Sequence, residues 1–382
     1  MRLTPYDTRL NMRILVDYRP ALRARTGVGE YLHELTRAYA SGYPDEVIAF
    51  TSSWKDRPPP NLADDLHARV VDRRIPVRVL NVAWHRFEWP PIESLAGDVD
   101  IVHASHPLLI PTRRAAQVIT IHDLFFLDHP ERTRAEIRRD YSVLAPEHAR
   151  RADAIITSSH HVKSQVIQRF GVPADTITVC PGGAPAWRAL GRGPHLPADG
   201  YILFVGTLEP RKNIGTLLDA YEMLLSRRRP PPPLVLAGGS SPEAASWLER
   251  VARAPLQGHV RHIGYVSQAR REKVYAGARV LVLPSLDEGF GLPALEAMSA
   301  GIPVVVSNRG SLPEVVGDAG TLVDAEDAAG LAAAIERTIT DEAWATERAT
   351  AGLERAARFT WTAAADAVRR AYLDAVARRR AR

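Results

Sequence analysis

Two glutamates, Glu288 and Glu296, stand eight residues apart in Asp287-Glu288-Gly289-Phe290-Gly291-Leu292-Pro293-Ala294-Leu295-Glu296-Ala297-Met298. The first sits in a glycine loop after the apolar run 280–283, and the second lies about one turn into the helical pattern 292–300. A carboxylate accepts paired hydrogen bonds from a vicinal diol, as acidic residues do with ribose in dinucleotide folds. One carboxylate on a loop and one on a helix can therefore grip different hydroxyls of a single ligand. Gly289 and Gly291 let backbone amides approach phosphate or sugar oxygens beside a helix N-terminus, where anions are favoured. The plainer reading is a capping glutamate and a helix-surface glutamate. Glu296 argues against it, because a charge between Leu295 and Met298 on a hydrophobic helix is costly without a partner.

A second constellation is Val205-Gly206-Thr207-Leu208-Glu209-Pro210-Arg211-Lys212-Asn213. A strand ends, a glycine turn follows, and two adjacent cations stand at the start of the helical stretch 213–226. Cations at a helix N-terminus oppose its dipole by about 0.3–1 kcal/mol, and a bound diphosphate would offset that penalty. Lys212 carries extra weight because only four of the 49 basic residues are lysines. A compact ammonium reaching a phosphate explains that choice; the alternative is an exposed surface pair.

Two weaker signals lie earlier. Arg25-Thr26-Gly27-Val28-Gly29-Glu30-Tyr31 is a glycine turn opening the helical pattern 30–40. It lacks the third glycine of a dinucleotide fingerprint and the Lys-Ser/Thr of a phosphate-binding P-loop, so a plain strand-to-helix turn competes with anion binding. Thr120-Ile121-His122-Asp123 ends an apolar strand with a histidine suited to polar contacts or proton exchange. Its rival is a histidine satisfied by backbone, with Asp123 capping the next segment. His103, His106, His129, His160 and His161 show neither HExxH nor Cys/His spacing, so no metal site is expected.

The elements that must position these groups alternate. Strand-like runs at 12–17, 47–51, 101–103, 118–121 and 154–157 are interleaved with helical stretches at 30–40, 132–151 and 160–170. A second series runs through strands 201–205, 234–237, 260–263, 280–283 and 304–306. Its helices are 213–226, 242–254, 268–276, 292–300 and 328–340. This rhythm implies βαβ units and parallel sheets, whose ligands sit beyond the carboxyl ends of the strands. The Gly- and Pro-rich segment 181–200 reads as a linker. The expected architecture is α/β, with two doubly wound Rossmann-like domains facing across a cleft. The expected domains are 1–190 on the acceptor side, 191–355 for donor binding, and a C-terminal helix, 356–382, crossing back to the first.

Composition narrows the function classes. A length of 382 residues, 46% hydrophobic and 24% charged, is that of a globular chain of about two domains. No apolar run reaches the roughly 18–20 residues of a membrane span, and the N-terminus lacks a signal peptide's apolar stretch. One cysteine, Cys180, excludes an internal disulfide and fits a reducing compartment, so a cytoplasmic location is expected. No aromatic-basic interleaving marks a nucleic-acid platform, so nucleic acid ranks low. Arg378, Arg379, Arg380 and Arg382 form a basic tail, either a solvated helix end or a peripheral contact with an anionic membrane's inner face.

The motifs converge on a known pattern. EGFGLPALEAMSAGIPVV with EPRKN and VLPSLDEGF closely resembles the retaining glycosyltransferases of family four, which have the GT-B fold. RTGVGEYLHEL and TIHDL resemble the mannosyltransferase-B-like branch, which builds bacterial O-antigen and related polysaccharides. The resemblance spans roughly residues 12–373. It implies donor-diphosphate binding by Lys212 and Arg211 with Gly29. It implies that Glu288 and the backbone of Phe290, Gly291 and Leu292 hold the donor sugar, that Glu296 holds the ribose, and that His122 lies near the reacting carbon. Many relatives carry arginine where Thr207 follows the turn glycine, which leaves Arg211 or Arg25 to supply that charge. Val266, beside Tyr265, is expected to line the base pocket through its backbone. FTWTAAADAVRRAYLDAV resembles the fold's terminal helix, with Trp361 and Tyr372 on its packing side.

The implied activity is retaining transfer of a hexose, mannose from GDP-mannose foremost, to a saccharide or lipid-linked glycan, with no metal cofactor. His122, Glu288 and Lys212 would carry it. The alternatives are a sucrose- or trehalose-type synthase or phosphorylase on the same fold, and a non-catalytic nucleotide-sugar-binding subunit. A nicotinamide dehydrogenase is disfavoured because no GxGxxG followed by a distant acid is present.

Overall fold

The computed structural model describes residues 11–22, 25, 27–128, 130, 135–187 and 193–382. The chain divides into two compact units, Met1–Gly182 with Trp361–Arg382, and Gly183–Thr360.

In the first unit the strands are β1 (Arg13–Asp17), β2 (Glu46–Thr51), β3 (Arg69–Asp72), β4 (Ile101–Ala104), β5 (Ala116–Ile121), β6 (Ala154–Thr157) and β7 (Ile177–Val179). They form one parallel sheet in the order β3-β2-β1-β4-β5-β6-β7. β4 and β6 are buried at every position, so Ile101, Val102, Ile155 and Ile156 face helices on both sides, as central parallel strands require. Leu15, Ile48, Phe50, Trp84 and Ile119 belong to the core of this unit.

The second unit holds β8 (Tyr201–Val205), β9 (Leu234–Ala237), β10 (Val260–Gly264), β11 (Ala278–Leu283), β12 (Val304–Ser307) and β13 (Thr321–Val323), ordered β10-β9-β8-β11-β12-β13 and again parallel. Successive strands run outward from β8 one way and from β11 the other, so the order reverses between them. That reversal opens a crevice at the carboxyl ends of β8 and β11. The α/β class and both doubly wound sheets match the sequence reading.

Three short strands escape that reading: β3, β7 and β13. All lie at sheet edges, and β3 and β13 are never fully buried, so neither needs an apolar run. The helix Val77–Phe87 is also missed. The stretch 242–254 yields a 3-10 turn, Pro242–Ala244, and a shorter helix, Ala245–Val251. The start of the expected helix 132–151, at 132–134, lies outside the described residues; Ala135–Arg151 is helical.

The segment 181–200 is not a free linker. Ala184 donates its N–H to Phe359 O at 2.9 Å, Trp187 packs against Tyr275 with ring centroids 4.8 Å apart, and His195 N–H bonds Gly301 O at 2.8 Å. These bonds place 183–187 and 193–200 on the second unit, so the first unit ends at Gly182 rather than at 190; residues 188–192 lie outside the described set. The helix Glu342–Ala356 and Phe359 stay with the second unit, and the terminal helix Trp361–Ala381 packs on the first. There Tyr372 Oη is 2.8 Å from His103 Nδ1, and Trp361 meets Tyr31 edge-on at 5.8 Å.

Three of the four tail arginines are engaged by the first unit, and Arg380 is exposed. Arg378 bonds Asp153 O at 3.1 Å and Asp175 O at 2.6 Å, Arg382 bonds Arg151 O at 3.1 Å and lies 3.2 Å from buried Asp153, and Arg379 approaches the same carboxylate at 4.0 Å. Orphan carbonyls and one buried acid hold these three guanidinium groups against the first unit. Among the described residues no helix is long and apolar enough to cross a membrane.

Candidate active site

The loops after β8 and β11 flank the reversal of strand order in the second sheet, and they are stitched together. Leu286 N–H donates to Arg211 O at 2.8 Å, and Asn213 Nδ2 donates to Pro284 O at 3.0 Å and Ala325 O at 2.6 Å. Asn213 itself adopts φ +57°, ending the 3-10 turn Pro210–Lys212 and starting the helix Ile214–Leu225. The turn therefore aims Lys212 inward, where it is buried.

Lys212 Nζ donates to Glu288 Oε1 at 2.5 Å, Ser285 Oγ donates to the same oxygen at 2.8 Å, and Arg211 Nη1 lies 3.3 Å from Oε2. Burial alone would push the Glu288 carboxyl up. The charges of Lys212 and Arg211, with hydrogen bonds from Lys212 and Ser285, outweigh it and bring the carboxyl below its ordinary value. Burial and the neighbouring Arg211 draw the Lys212 ammonium down, against the pull of Glu288. The sequence reading assigned the relief of the Arg211–Lys212 charge to a bound anion. In the structure Glu288 supplies part of it, because the two loops leave adjacent strands.

Glu296 is also buried, and is held from the side by Arg271 Nη1 at 2.9 Å and by Tyr275 Oη at 2.6 Å. Burial and the adjacent carboxylate raise the Tyr275 phenol well above its usual range, so it stays a donor. Gly291 takes φ +97° as the cap of the helix Leu292–Ser299, with Phe290 buried before it and Leu292 half-buried after it. The first amides of a helix have no partner within it, which suits them to an anion. Thr207 is half-buried in the turn after β8, and Val266 is half-buried after β10 against the same core. Thus Lys212, Arg211 and Glu288 form one cluster, and Glu296 forms another on the following helix.

The residues sequence reasoning missed are those that hold the cluster. Ser311 Oγ donates to Glu288 O at 2.9 Å, and Ser307 Oγ donates to Ser285 O at 2.5 Å. Gly310 has φ +60°, and a Cβ there would stand 2.5 Å from Glu288 N. Arg271 and Tyr275 come from the helix Gln268–Ala276. The only sequence signal for any of them is a serine three positions before Glu288.

Gly29 and His122 belong to the first unit. Gly29 lies in the first turn of the helix Gly27–Gly42, where a Cβ would stand 3.3 Å from Pro20 O and 3.4 Å from Ala21 Cα, so close packing already favours glycine. Thr26 lies outside the described residues; Arg25 is 3.7 Å from Asp65. His122 follows β5 and meets Tyr31 edge-on at 5.2 Å. Asp123 Oδ1 accepts the Phe125 N–H at 3.2 Å, the capping role of the plainer reading. Burial holds the His122 imidazole neutral, down to about 4, against a hydrogen bond to the Ser105 backbone. Its Nε2 is buried with no hydrogen-bond partner among the described residues. His129 lies outside the described residues, and among those described no group of three acidic, histidine or cysteine side chains is placed to hold a metal.

Comparison with known proteins identifies this arrangement. The glycosyltransferase family 4 model matches residues 25–188, and the model described as glycosyl transferases group 1 matches 193–358. The chain is 34% identical over 371 residues to O-antigen chain mannosyltransferase B of Escherichia coli, covering 92% of this chain and 96% of the relative. The chain belongs to glycosyltransferase family 4. This glycosyltransferase is also 29% identical over 295 residues to glycogen synthase of Mycobacterium tuberculosis, covering 72% and 69% of the two chains. Among solved structures it resembles a sucrose-phosphate synthase from Thermosynechococcus elongatus, with TM-score 0.73, 25% identity and coverage of 94% and 98%. It also shares the fold of Anabaena HepE in complex with UDP-glucose, with TM-score 0.69, 18% identity and coverage of 94% and 98%. The glycosyltransferase therefore has the two-sheet GT-B fold.

Proposed function

We propose that this glycosyltransferase moves a mannosyl group from GDP-mannose to a saccharide or lipid-linked glycan acceptor in polysaccharide assembly, with retention of configuration at the transferred carbon. The observation that carries the mannosyl reading is the 34% identity to an O-antigen chain mannosyltransferase over 92% of the chain. Buried Lys212 and half-buried Arg211 are the groups assigned to the donor diphosphate, joined by Gly29. Glu288, with the Phe290, Gly291 and Leu292 backbone, is assigned to the sugar, and Glu296 to the ribose. Val266 is assigned to the base, Thr207 to the turn beside the phosphates, and His122 to the sugar near the reacting carbon. In this reading the bond from the sugar carbon to the phosphate oxygen breaks. The acceptor oxygen bonds the same face of that carbon, and its proton passes to the departing diphosphate. The chain's contribution is position and fixed positive charge, which a preorganised site supplies without reorganisation. Cationic side chains stand in for a divalent ion, so activity is expected to survive chelators.

The test is transfer from a panel of nucleotide sugars to lipid-linked and soluble acceptors, with the anomeric configuration of the product read by NMR. Mannosyl transfer from GDP-mannose with retention supports the reading. Turnover confined to another donor, or inversion, overturns the corresponding part. A second reading, synthesis of a small soluble disaccharide or its phosphate, draws on the likeness to a sucrose-phosphate synthase. Transfer to a free sugar or sugar phosphate but not to a glycan would favour it.

A further inference from the structure

The loop that follows β11 is fixed by its backbone at every residue from Pro284 to Glu288. Asn213 Nδ2 donates to Pro284 O at 3.0 Å, Ser307 Oγ donates to Ser285 O at 2.5 Å, and Leu286 N–H donates to Arg211 O at 2.8 Å. Arg211 Nη1 reaches Asp287 O at 3.3 Å. Ser311 gives Glu288 O two bonds, from its Oγ at 2.9 Å and from its N–H at 3.0 Å. With the main chain held this way, the freedom left at Glu288 is the rotation of its own side chain. The last torsion of a glutamate is broad and roughly two-fold, so a carboxylate left to itself presents either oxygen.

Ser285 removes that choice. It is fully buried, and among the described residues its hydroxyl bonds Glu288 Oε1 and nothing else. The serine's own backbone is anchored through its carbonyl, so the hydroxyl is not needed to hold the loop. Lys212 Nζ donates to the same Oε1, which therefore takes two donors and has both lone pairs in use. Oε2 takes one, Arg211 Nη1 at 3.3 Å. The two oxygens are thus unequal. The chain fills one and leaves the other with capacity for a further donor.

The geometry points to Ser285 as a positioning residue for the donor: by occupying Glu288 Oε1 it reserves Oε2 to accept a hydroxyl of the donor sugar. The inference rests on the reading that Glu288 faces the sugar. It adds that the hydroxyl three positions before Glu288 decides which oxygen does so, acting through the carboxylate and not on the ligand.

The test titrates GDP-mannose and GDP by calorimetry into the unaltered chain, Ser285→Ala, Glu288→Gln and the double variant, with far-ultraviolet circular dichroism reporting the fold. Ser285→Ala should weaken GDP-mannose about tenfold, the low end of what a hydrogen bond to a charged group contributes. It should leave GDP within about twofold. Because the serine acts through the carboxylate, adding Ser285→Ala to Glu288→Gln should change GDP-mannose binding by less than about twofold. Unchanged GDP-mannose binding in Ser285→Ala, beside a clear loss in Glu288→Gln, overturns the inference and leaves the reading of Glu288 standing. Equal losses from Ser285→Ala in both backgrounds, or for GDP as much as for GDP-mannose, make the serine a support of the loop and overturn it as well. Full GDP-mannose affinity in Glu288→Gln overturns the sugar reading of Glu288, and the inference falls with it.

Discussion

Lys212 Nζ stands 2.5 Å from Glu288 Oε1 although 76 residues separate them in the chain. The two loops that carry them leave adjacent parallel strands, β8 and β11, at the point where the strand order of the second sheet reverses. A cation proposed for the donor's phosphates and a carboxylate proposed for its sugar are thus one buried pair. Each stabilises the other before any ligand arrives, and a diphosphate must compete with Glu288 for the ammonium.

Lys212→Ala should therefore act twice. Removing one member of a buried pair costs about 3–5 kcal/mol, toward the lower end here because Arg211 remains 3.3 Å from Oε2. Urea unfolding measures that loss. Donor binding by calorimetry should weaken roughly 10–150-fold. Lys212→Met combined with Glu288→Gln should recover much of the stability but not the binding. Recovery of both would reduce Lys212 to a structural role.

Glu296→Gln should weaken the nucleotide itself, whereas Glu288→Gln should leave free nucleotide alone and impair only the sugar nucleotide. The distinction follows from their separate partners, Arg271 and Tyr275 for Glu296, Lys212 and Ser285 for Glu288. Titrating GDP and GDP-mannose into both variants decides it. Equal losses for both ligands in both variants would show the roles to be wrongly divided.

Gly310→Ala tests the loop that supports Glu288. The residue holds φ +60°, and a Cβ would stand 2.5 Å from Glu288 N and 2.8 Å from Glu288 O. The backbone must shift, and a displacement of that order costs about 100-fold in turnover. Transfer should fall while far-ultraviolet circular dichroism stays unchanged. Full activity would show that Glu288 tolerates movement and that its position is not critical.

Acid should loosen the first unit through its buried histidines. His103 is enclosed, bonded at Nε2 to Thr120 Oγ1 at 2.7 Å and at Nδ1 to Tyr372 Oη at 2.8 Å, and burial, with His122 nearby, lowers its pKa to about 3. A group depressed in the folded state gives its full stabilisation above its unfolded value, about 6.5. That stabilisation is lost as pH falls from there toward 3. Between pH 7 and pH 5 His103 alone should cost about 2 kcal/mol by linkage. Urea unfolding at the two pH values measures it. His103→Asn, weaker at pH 7, should lose less on acidification, and an unchanged pH dependence would remove His103 as the cause.

Strand and helix alternation, the glycine loop around Glu288 and the two cations before Asn213 were legible in the sequence. Each is local: a run of β-branched residues, a turn residue, a charge out of place on an apolar helix. The edge strands β3, β7 and β13 were not, because an edge strand needs no continuous apolar run and its pairing is decided by the neighbour that accepts it. The segment 181–200 misled for a related reason. Its Gly and Pro content reports only the lack of regular structure, whereas the bonds of Ala184 to Phe359 and of His195 to Gly301 tie 183–187 and 193–200 to the second unit.

The family, the paired-sheet class and the candidates Arg211, Lys212, Glu288 and Glu296 were thus legible in the sequence alone. Only the tertiary structure decided which of them touch. Lys212 faces Glu288, Glu296 faces Arg271 and Tyr275, and the tail arginines meet Asp153, Asp175 and Arg151. Those pairings join residues tens to hundreds of positions apart. They exist because parallel strands deliver distant loops to one sheet edge, and because a buried charge must find a partner wherever the fold brings one within reach.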